Sequence, residues 1–594
     1  MQNFLASIDY QEKQLSLIKN SSNIEVLNNE KLYLLFNRTL LNRSSLDSQL
    51  NSRDETTLLA QAYQKWGINF LKKLEGTFSL FIYDKQKEQL FLAKDKIGVQ
   101  PLYFTQTPTS IVWGTHLRAF NKLKSIELTI EPNALANYMQ FGFVLQPNTI
   151  FKNCYKVESG SYICFNLNNK VSKTVKYWDL ESCYKDEKSI KTENEIIQDA
   201  HQLLEQSIEE NTKNSTYGLS LSGGYDSSTL VAICQSQSSK KVDTFTIGFH
   251  ENEINEAPYA KAIAKHLGTS HHEHYFTAKD ALELIPKMAS VYDEPFADHA
   301  SSPTMLTSQL LKEHYIENLI AGDGGDEVFA TAEDVHTFER LKNTPYLLKQ
   351  LIARPLSHLP IEKIPYLKDY NNLPKKYNKL MQILLAKNIP QMIRIRNTLF
   401  LEKELHQHIK GYTTPIQTSF EAINFQGSAE CVDEIIGTYF KTTMIDGELV
   451  KSYSAMNHKN IRLSTPYLNT KLIDYMAKVP SSIKIKDGIK KHILKEISYQ
   501  YIPKELIERP KCGFDIPFGS WMKNELKDIL HFQINKKRLD KDNIFYTSSI
   551  LNIRDQFYAG NDAYKYKLWR IFIFQLWYEA FSPESLKDKS SKSV

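Results

Sequence analysis

The pattern of apolar and polar positions divides the chain into two parts of different character. In the first part, short apolar runs such as residues 33–36 and 79–83 alternate with polar residues, which predicts a largely β domain. In the second part, strand-like and helix-like segments alternate, which predicts a doubly wound parallel sheet. Residues 181–195, rich in Lys, Glu and Ser, predict an interdomain linker. We therefore expect an α/β protein with domains at 1–185 and 195–590.

A stretch from about 335 to 420 stands apart within the second domain. It is rich in Lys, Leu, Tyr and Pro and carries no recognisable motif, which favours an added helical region. Such a region can be a purely structural insertion or can contact a substrate. The sequence leaves both interpretations open.

The overall composition favours a globular enzyme of the cytoplasm. Of the 594 residues, 42% are hydrophobic, yet no apolar run approaches the roughly 20 residues of a membrane helix. The N-terminus has no basic region followed by an apolar stretch, so secretion is not expected. The net charge is 73 − 68 = +5, which gives no reason to expect nucleic acid. The six cysteines form no C-x-x-C pair, and His271, His272 and His274 favour a strand over a zinc site.

The strongest local motif is Ser-Gly-Gly-Tyr-Asp-Ser-Ser at residues 222–228, between a strand-like and a helix-like run. Adjacent glycines let successive N–H groups approach an anion, and a helix N-terminus adds its partial positive charge. Ser222 and Ser227 can donate to phosphate oxygens, whereas Asp226 can face polyphosphate only through Mg²⁺. The motif lacks the Gly-Lys-Ser/Thr ending of a Walker loop, which disfavours a kinase or GTPase. It predicts a pyrophosphate cradle.

This motif resembles the ATP-pyrophosphatase loop of the asparagine synthetase superfamily, and further blocks follow in that family's order. They lie at residues 244–260, 293–304, 321–329, 491–496 and 509–514. The resemblance implies an ATP-pyrophosphatase fold of the adenine nucleotide α hydrolase type, with ATP and Mg²⁺ as cofactors. The nucleotide site that it implies consists of Leu221, Ser222, Gly223, Gly224, Asp226, Ser227, Ile247 and Gly322.

Two carboxylates and a lysine complete the expected chemistry. Asp226 and Asp326 each follow an apolar strand, and an open parallel sheet gathers its ligand residues at that edge. Together they are expected to hold Mg²⁺, which prefers one or two carboxylates with phosphate oxygens and waters. By resemblance, Lys491 faces the charge that develops on the leaving pyrophosphate or the acyl intermediate. The implied reaction adenylates a carboxylate, and a nitrogen nucleophile then attacks it.

Residues 56–104 resemble the glutaminase domain of the same enzymes, a layered Ntn-hydrolase-like fold whose nucleophile is an N-terminal cysteine. Here Gln2 follows the first methionine, and the first cysteine in the sequence is Cys154. The family's glutamine-holding Asn-Gly-Glu reads Asn-Arg-Thr at residues 37–39, and its Asp-Gly reads Glu-Gly at 75–76. We therefore expect an inactive domain that releases no ammonia from glutamine.

A member of this family without glutaminase must take its amine from another source. Beta-lactam synthetases, carbapenam synthetases and lasso-peptide cyclases use an amine that is already in the substrate. Beta-lactam-forming relatives place a tyrosine where this chain has Asp323, and an acid where it has Arg462, so the resemblance favours a lasso-peptide cyclase. Asp323 is then expected to orient or deprotonate the amine. An arginine inside the site would instead bind a carboxylate.

The expected partners follow from that interpretation. They are a peptide substrate, a leader-binding protein and a leader peptidase, with no nucleic acid and no membrane. A second function class, an ammonia-dependent asparagine synthetase or another small-molecule amide ligase, stays open. A non-catalytic scaffold is disfavoured, because Asp226, Asp326 and Lys491 are all present.

Overall fold

The structure is a computed structural model, and it describes residues 3–19, 24–52, 54–123, 125–213, 215–250, 255–359, 373–509 and 516–581. Its strands in chain order are β1 (Phe4–Asp9), β2 (Leu15–Lys19), β3 (Glu25–Asn28), β4 (Leu32–Leu40), β5 (Gly76–Asp84), β6 (Gln89–Lys94), β7 (Tyr103–Gln106), β8 (Ser110–Gly114), β9 (Cys154–Lys156), β10 (Ser161–Asn166), β11 (Val171–Lys176), β12 (Tyr217–Ser220), β13 (Asp243–Phe249), β14 (Ser270–Phe276), β15 (Asn318–Ile320) and β16 (Arg462–Ser464).

The helices alternate with these strands and dominate the second half of the chain. In chain order they are α1 (Arg43–Leu50), α2 (Glu55–Trp66), α3 (Pro132–Phe141), α4 (Leu180–Cys183), α5 (Glu193–Thr212), α6 (Tyr225–Gln237), α7 (Ala257–Leu267), α8 (Ala278–Val291), α9 (Ser301–Glu313), α10 (Gly325–Val328), α11 (Val335–Asn343), α12 (Tyr346–Ser357), α13 (Leu373–Leu385), α14 (Ile389–Asn397), α15 (Glu402–His408), α16 (Ser419–Ala422), α17 (Cys431–Tyr439), α18 (Leu449–His458), α19 (Thr470–Ala477), α20 (Ser481–Lys484), α21 (His492–Tyr499), α22 (Lys504–Ile507), α23 (Phe518–Lys523), α24 (Lys527–Gln533), α25 (Lys536–Asp542), α26 (Thr547–Tyr558) and α27 (Lys565–Phe581). A π-helical segment, Phe440–Glu448, joins α17 to α18.

The first domain contains two antiparallel sheets that pack face to face. One sheet has the order β2-β1-β8-β7-β9, and the other has the order β11-β10-β6-β5-β4-β3. Their facing side chains form one core, which includes Ile8 of β1, Phe81 of β5 and Trp113 of β8. The rings of Phe81 and Trp113 meet edge to face with their centroids 5.1 Å apart.

Helices α1 and α2 cover the outer face of the larger sheet and give this domain its layered form. Leu58 and Leu59 of α2 pack with Leu34 of β4 and Leu80 of β5 in a second core. Strand β5 is therefore buried on both faces, which explains why residues 78–83 form an unbroken run of buried side chains.

The second domain is organised around a parallel sheet with the order β14-β13-β12-β15-β16. Each neighbouring pair of its strands is parallel. The chain runs outward from β12 through β13 to β14, and then returns to place β15 on the other side of β12. The loops that follow β12 and β15 therefore open side by side at the topological switch point, where open α/β sheets bind their ligands.

The segment expected as a linker, residues 181–195, has regular structure at both ends. Residues 180–183 form α4, and the buried Glu181 carboxylate accepts from the Lys441 ammonium of the second domain. Helix α5 already begins at Glu193, where Thr192 and Glu195 form a capping box. Only residues 184–192 lack regular structure. Polarity alone suggested a solvated linker, but the ion pair supplied by Lys441 allows Glu181 to be buried.

Residues 335–420 carry helices α11 to α15 and the start of α16. Residues 360–372 of this region lie outside the described residues. The helices pack onto the second domain through a core that joins Phe338 of α11 and Ile393 of α14 to Ile435 of α17.

Candidate active site

The loop between β12 and α6 forms one wall of the candidate site. Helix α6 begins two residues before Ser227, so Asp226 lies in its first turn. Gly223 has a φ of +77°, and a β-carbon there would lie 3.0 Å from the backbone nitrogen of Ala260. The hydroxyl of Ser227 accepts from the Ser222 N–H at 3.0 Å and meets the Ser222 hydroxyl at 3.0 Å. The hydrogen bonds between Ser222 and Ser227 therefore fix the conformation of the loop at the start of α6.

The other residues predicted for the nucleotide lie along the same edge of the sheet. The Leu221 carbonyl accepts from the Thr246 hydroxyl of the neighbouring strand. Ile247 is buried on β13, one strand away from the loop. Gly322 follows β15, and a β-carbon there would lie only 3.2 Å from the Asp226 β-carbon. The structure thus brings the β12, β13 and β15 loops together around Asp226.

A lysine lies between the two predicted metal carboxylates. Nζ of Lys491 is 2.5 and 2.6 Å from the two carboxylate oxygens of Asp226 and 2.7 Å from Oδ1 of Asp326. The lysine is 8% exposed, whereas the Asp326 side chain is 42% exposed. Burial by itself lowers the pKa of Lys491, but the two carboxylates outweigh it and raise that pKa above its usual value. The amine therefore stays charged.

The positions of Asp226 and Asp326 are suitable for holding Mg²⁺. Both carboxylates converge on one ammonium, which shows that a cation is accepted at this point. Gly325 leaves the necessary room, since a β-carbon there would lie 2.3 Å from Oδ1 of Asp226. Two carboxylates are the number that Mg²⁺ commonly takes from a protein when it also binds phosphate. Asp226 and Asp326 fit that requirement.

Asp323 lies in the loop after β15 and meets a second group of charges. The Ser452 hydroxyl donates to its Oδ1 at 3.1 Å. Burial raises the pKa of Asp323 to about 6; the Lys451 ammonium lowers this pKa and the Glu448 carboxylate raises it. Lys451 pairs with Asp298 at 3.2 Å and with Glu448. A carboxyl group with this pKa is ionised at neutral pH and can exchange a proton.

Three titratable residues near the site, Glu448, Lys451 and Glu327, were missed by the sequence analysis. Glu448 ends the π-helical segment and Lys451 follows in α18, where no motif marks either residue. Burial and the adjacent Asp326 raise the pKa of Glu327 to about 8, so it is largely protonated at neutral pH. The Asp-Glu pair at 326–327 was a usable signal, since neighbouring carboxylates in a buried loop shift each other's pKa.

The Arg462 side chain lies outside the candidate site. Arg462 pairs with Asn318 at the amino ends of β16 and β15, whereas the nucleotide loop follows the carboxyl end of β12. Its guanidinium donates to the Asn211 carbonyl at 2.7 Å and to the Ser215 hydroxyl at 3.1 Å. The carboxylate that raises the pKa of Asp323 belongs to Glu448, on another segment of the chain.

The histidines at 271, 272 and 274 lie in β14. His271 contacts the Thr244 hydroxyl at 3.0 Å, and Nε2 of His272 is 2.9 Å from Oδ1 of Asp243. In the part of the chain that the structure describes, no group of three or more His, Cys, Asp or Glu is arranged to hold a metal.

One C-terminal block reaches the nucleotide loop. The Arg509 guanidinium donates to the Ser222 carbonyl at 3.2 Å and pairs with Glu256 at 2.9 Å. The rest of that block, residues 510–514, lies outside the described residues. Arg509 therefore joins the loop to the helix that follows β13.

The altered glutamine-binding positions of the first domain contact the second domain. The Arg38 guanidinium donates to the Asn457 side chain and lies 5.7 Å from the centre of the Tyr453 ring. Arg38 has a φ of +105°, a value that favours the glycine expected there by resemblance. The Glu75 carboxylate pairs with Lys96 at 2.5 Å and accepts from the Thr470 hydroxyl at 2.6 Å.

A pocket that opens to solvent lies between the two domains. The first domain contributes His116 and Lys156 to its wall, and the second contributes Asp293, Glu294 and Asp446. These groups pair across the boundary, His116 with Asp293 and Lys156 with Glu294 at 2.9 Å. The pocket wall is therefore itself part of the interdomain contact.

Comparisons with known proteins agree with this division of the chain. The Asparagine synthase family model matches residues 199–579, and the Glutamine amidotransferase domain model matches residues 5–178. The chain is 29% identical over 362 residues to putative asparagine synthetase (glutamine-hydrolyzing) 2 of Methanocaldococcus jannaschii, covering 59% of this chain and 67% of that protein. It is 22% identical over 600 residues to asparagine synthetase (glutamine-hydrolyzing) 1 of Bacillus subtilis, covering 95% and 89%.

Among solved structures, glutamine phosphoribosylpyrophosphate amidotransferase from B. subtilis, complexed with ADP and GMP, matches with a TM-score of 0.21 and 13% identity. That match covers 54% of this chain and 74% of the other. The expected fold class is confirmed: the first domain is an Ntn-amidotransferase-like layered domain, and the second contains the parallel sheet of an ATP-pyrophosphatase. Within the described ranges, none of the helices has the length and apolar character needed to cross a bilayer.

Proposed function

Since the chain belongs to the asparagine synthase family of ATP-dependent amide ligases, we propose that it closes a macrolactam within a peptide. In this proposal an Asp or Glu side chain of the peptide is adenylated, with release of pyrophosphate, and the peptide's own N-terminal amine then captures it. One water is lost from the peptide, and AMP is formed. The product is a lasso-type isopeptide ring.

The observation that carries the proposal is the new role of the glutamine-binding positions. Arg38 and Glu75 stand where the resemblance expects groups that hold glutamine, and both contact the second domain instead. Arg38 keeps the backbone angle of the glycine but directs a guanidinium to Asn457. Because these two positions contact the second domain and not a substrate, they support an amine source other than glutamine.

The nucleotide half of the site supports the adenylation step. The loop at 221–227 would receive the phosphates, because its glycines and the start of α6 present N–H groups and partial positive charge. Asp226 and Asp326 would hold Mg²⁺, which neutralises phosphate charge and polarises the phosphorus under attack. Lys491, already charged and buried, would then face the negative charge of the leaving pyrophosphate.

The amide-forming step is assigned to Asp323. An amine attacks only in its neutral form, so a nearby carboxylate must accept a proton as the new bond forms. The pKa of Asp323, about 6, keeps the group ionised at neutral pH while making it a better base than an ordinary aspartate. Ser452 orients this carboxylate, and Lys451 with Glu448 sets its charge balance.

An ammonia-dependent asparagine synthetase is the second candidate. It is supported by the intact nucleotide site, by the acid at Asp323 and by the names of the matched relatives.

Substrate-dependent release of AMP and pyrophosphate separates the candidates. The purified chain is incubated with ATP, Mg²⁺ and either aspartate with ammonium chloride, glutamine, or a peptide encoded by a short neighbouring reading frame. Its leader-binding protein and protease are supplied as well. The proposal expects a peptide that is lighter by one water and no glutamate from glutamine. Asparagine formed at a comparable rate, without peptide dehydration, would establish the second candidate instead.

A further inference from the structure

Helix α12 exposes a row of large apolar side chains, called here the apolar ridge: Leu347, Leu348, Leu351 and Ile352. Leu347 and Leu351 are each 74% exposed, Leu348 is 49% exposed and Ile352 is 50% exposed. Their spacing of i, i+1, i+4 and i+5 places them on one side of the helix. A contiguous apolar surface of this kind commonly marks an interaction site.

The fold fixes the direction in which the ridge points. On the opposite side of α12, Lys349 is buried and donates to the Leu341 carbonyl at 2.9 Å and to the Ala386 carbonyl at 3.4 Å. Ala353, one turn further along, is fully buried. Helix α12 is thus anchored by one face against α11 and α13, and the ridge projects outward.

The surroundings of the ridge are predominantly basic. Residues 340–359 and 373–387 contain eight Lys or Arg and no Asp or Glu, although the whole chain has a net charge of only +5. Five of these basic residues are exposed, Arg340, Lys342, Arg354, Lys376 and Lys387, and Lys342 pairs with Glu434 at 2.8 Å. Residues 360–372 contain two positive and two negative charges, which sum to zero. Residues 340–387 therefore carry a net charge of +8, and all other residues together carry 5 − 8 = −3. Positive charge is therefore concentrated around the ridge.

We propose that the apolar ridge and its basic surround dock this protein on an anionic lipid bilayer. Apolar side chains on one face of a helix, flanked by Lys and Arg, are the features by which a helix binds in a membrane interface without crossing it. Anionic headgroups attract the exposed basic residues, and the acyl chains accept the leucines. This replaces the expectation of no membrane partner, which was drawn from the lack of long apolar runs.

Other occupants fit these observations less well. A second copy of the chain would bring two strongly positive surfaces together, and like charges repel. Nucleic acid would match the charge but would leave the leucines in water. A peptide would need a groove, and side chains that are 74% exposed do not line one. A bilayer surface satisfies both the charge and the convex apolar shape, and the proposal does not depend on which substrate the enzyme uses.

Vesicle sedimentation tests the proposal with the full-length chain. Sucrose-loaded vesicles of phosphatidylcholine alone are compared with vesicles containing 30% phosphatidylglycerol, at low and high salt. The expected result is binding to the anionic vesicles that is at least about tenfold tighter than to the neutral ones, and that weakens with salt. The double variant Leu347→Glu/Leu351→Glu should lose this binding.

A matched control carries the same change at exposed apolar positions elsewhere. In Val171→Glu/Ile190→Glu the substituted side chains are 58% and fully exposed, so it should bind vesicles as the parent chain does. Arg354→Gln/Lys376→Gln should bind neutral and anionic vesicles about equally. Anionic binding that survives the ridge variant, or no anionic binding by the parent, overturns the proposal. If light scattering shows that the parent chain is a dimer and the ridge variant a monomer, the ridge is a self-association surface and the proposal is overturned.

Discussion

Replacing Lys491 by methionine should separate catalysis from nucleotide binding. Methionine keeps most of the buried stem but removes an ammonium that lies 2.5 Å from Asp226 and 2.7 Å from Asp326. Losing one preorganised electrostatic contact commonly lowers a rate by about 10²–10³, which is about 3–4 kcal/mol in the barrier. The apparent affinity for ATP should change by less than about tenfold, because the charge acts mainly as the leaving group develops.

The same substitution has a predictable effect on stability. Removing one partner of a buried ion pair commonly costs about 3–5 kcal/mol, but here Asp226 is 25% exposed and Asp326 is 42% exposed. Water can therefore solvate the released carboxylates, and we expect a cost of about 2 kcal/mol in the free energy of unfolding. The folded fraction thus stays high enough for the kinetic measurement to be valid.

The measurement is a steady-state assay of pyrophosphate release at several ATP concentrations, with stability followed by chemical denaturation. Lys490→Met is the matched control, because Lys490 is 43% exposed and pairs only at 3.7 Å with Glu333. That control should retain normal rate and stability. A Lys491→Met enzyme with a normal rate at saturating ATP and a raised KM would refute the reasoning and make Lys491 a ground-state binding residue.

Asp226→Asn and Asp326→Asn should each abolish pyrophosphate release without unfolding the chain; retained release at saturating Mg²⁺ would contradict the metal assignment. The rate of amide formation should rise with pH through about 6, where Asp323 ionises, and Asp323→Asn should remove this rise; an unchanged profile would exclude Asp323 as the base. Incubation with glutamine should release no ammonia above a protein-free control, and enzyme-dependent glutamate would disprove this. Arg38→Gly should be more stable than Arg38→Ala by about 1 kcal/mol in denaturant unfolding, because glycine tolerates the φ of +105°; equal stability would show that the backbone there is not strained.

The sequence by itself identified the segments that the fold gathers at the candidate site. The Ser-Gly-Gly-Tyr-Asp-Ser-Ser loop, the acidic loop at 321–327 and Lys491 are local motifs, and local motifs keep their meaning because a short segment defines each one. The alternation of strands and helices likewise predicted the parallel sheet. Helix α6 begins at Tyr225, inside the motif, a boundary that the sequence pattern does not fix to the residue.

Only the tertiary structure decided which distant side chains meet. Asp226 and Lys491 are 265 positions apart. The sheet order places Asp226 at the switch point between β12 and β15, and the packing of α21 against α6 brings Lys491 to it. Register decided that Arg462 lies at the amino end of β16 and so outside the site. Packing between domains turned Arg38 from an altered substrate clamp into an interdomain contact. Such facts depend on topology and packing, which act between segments far apart in the chain and leave no local pattern in the sequence.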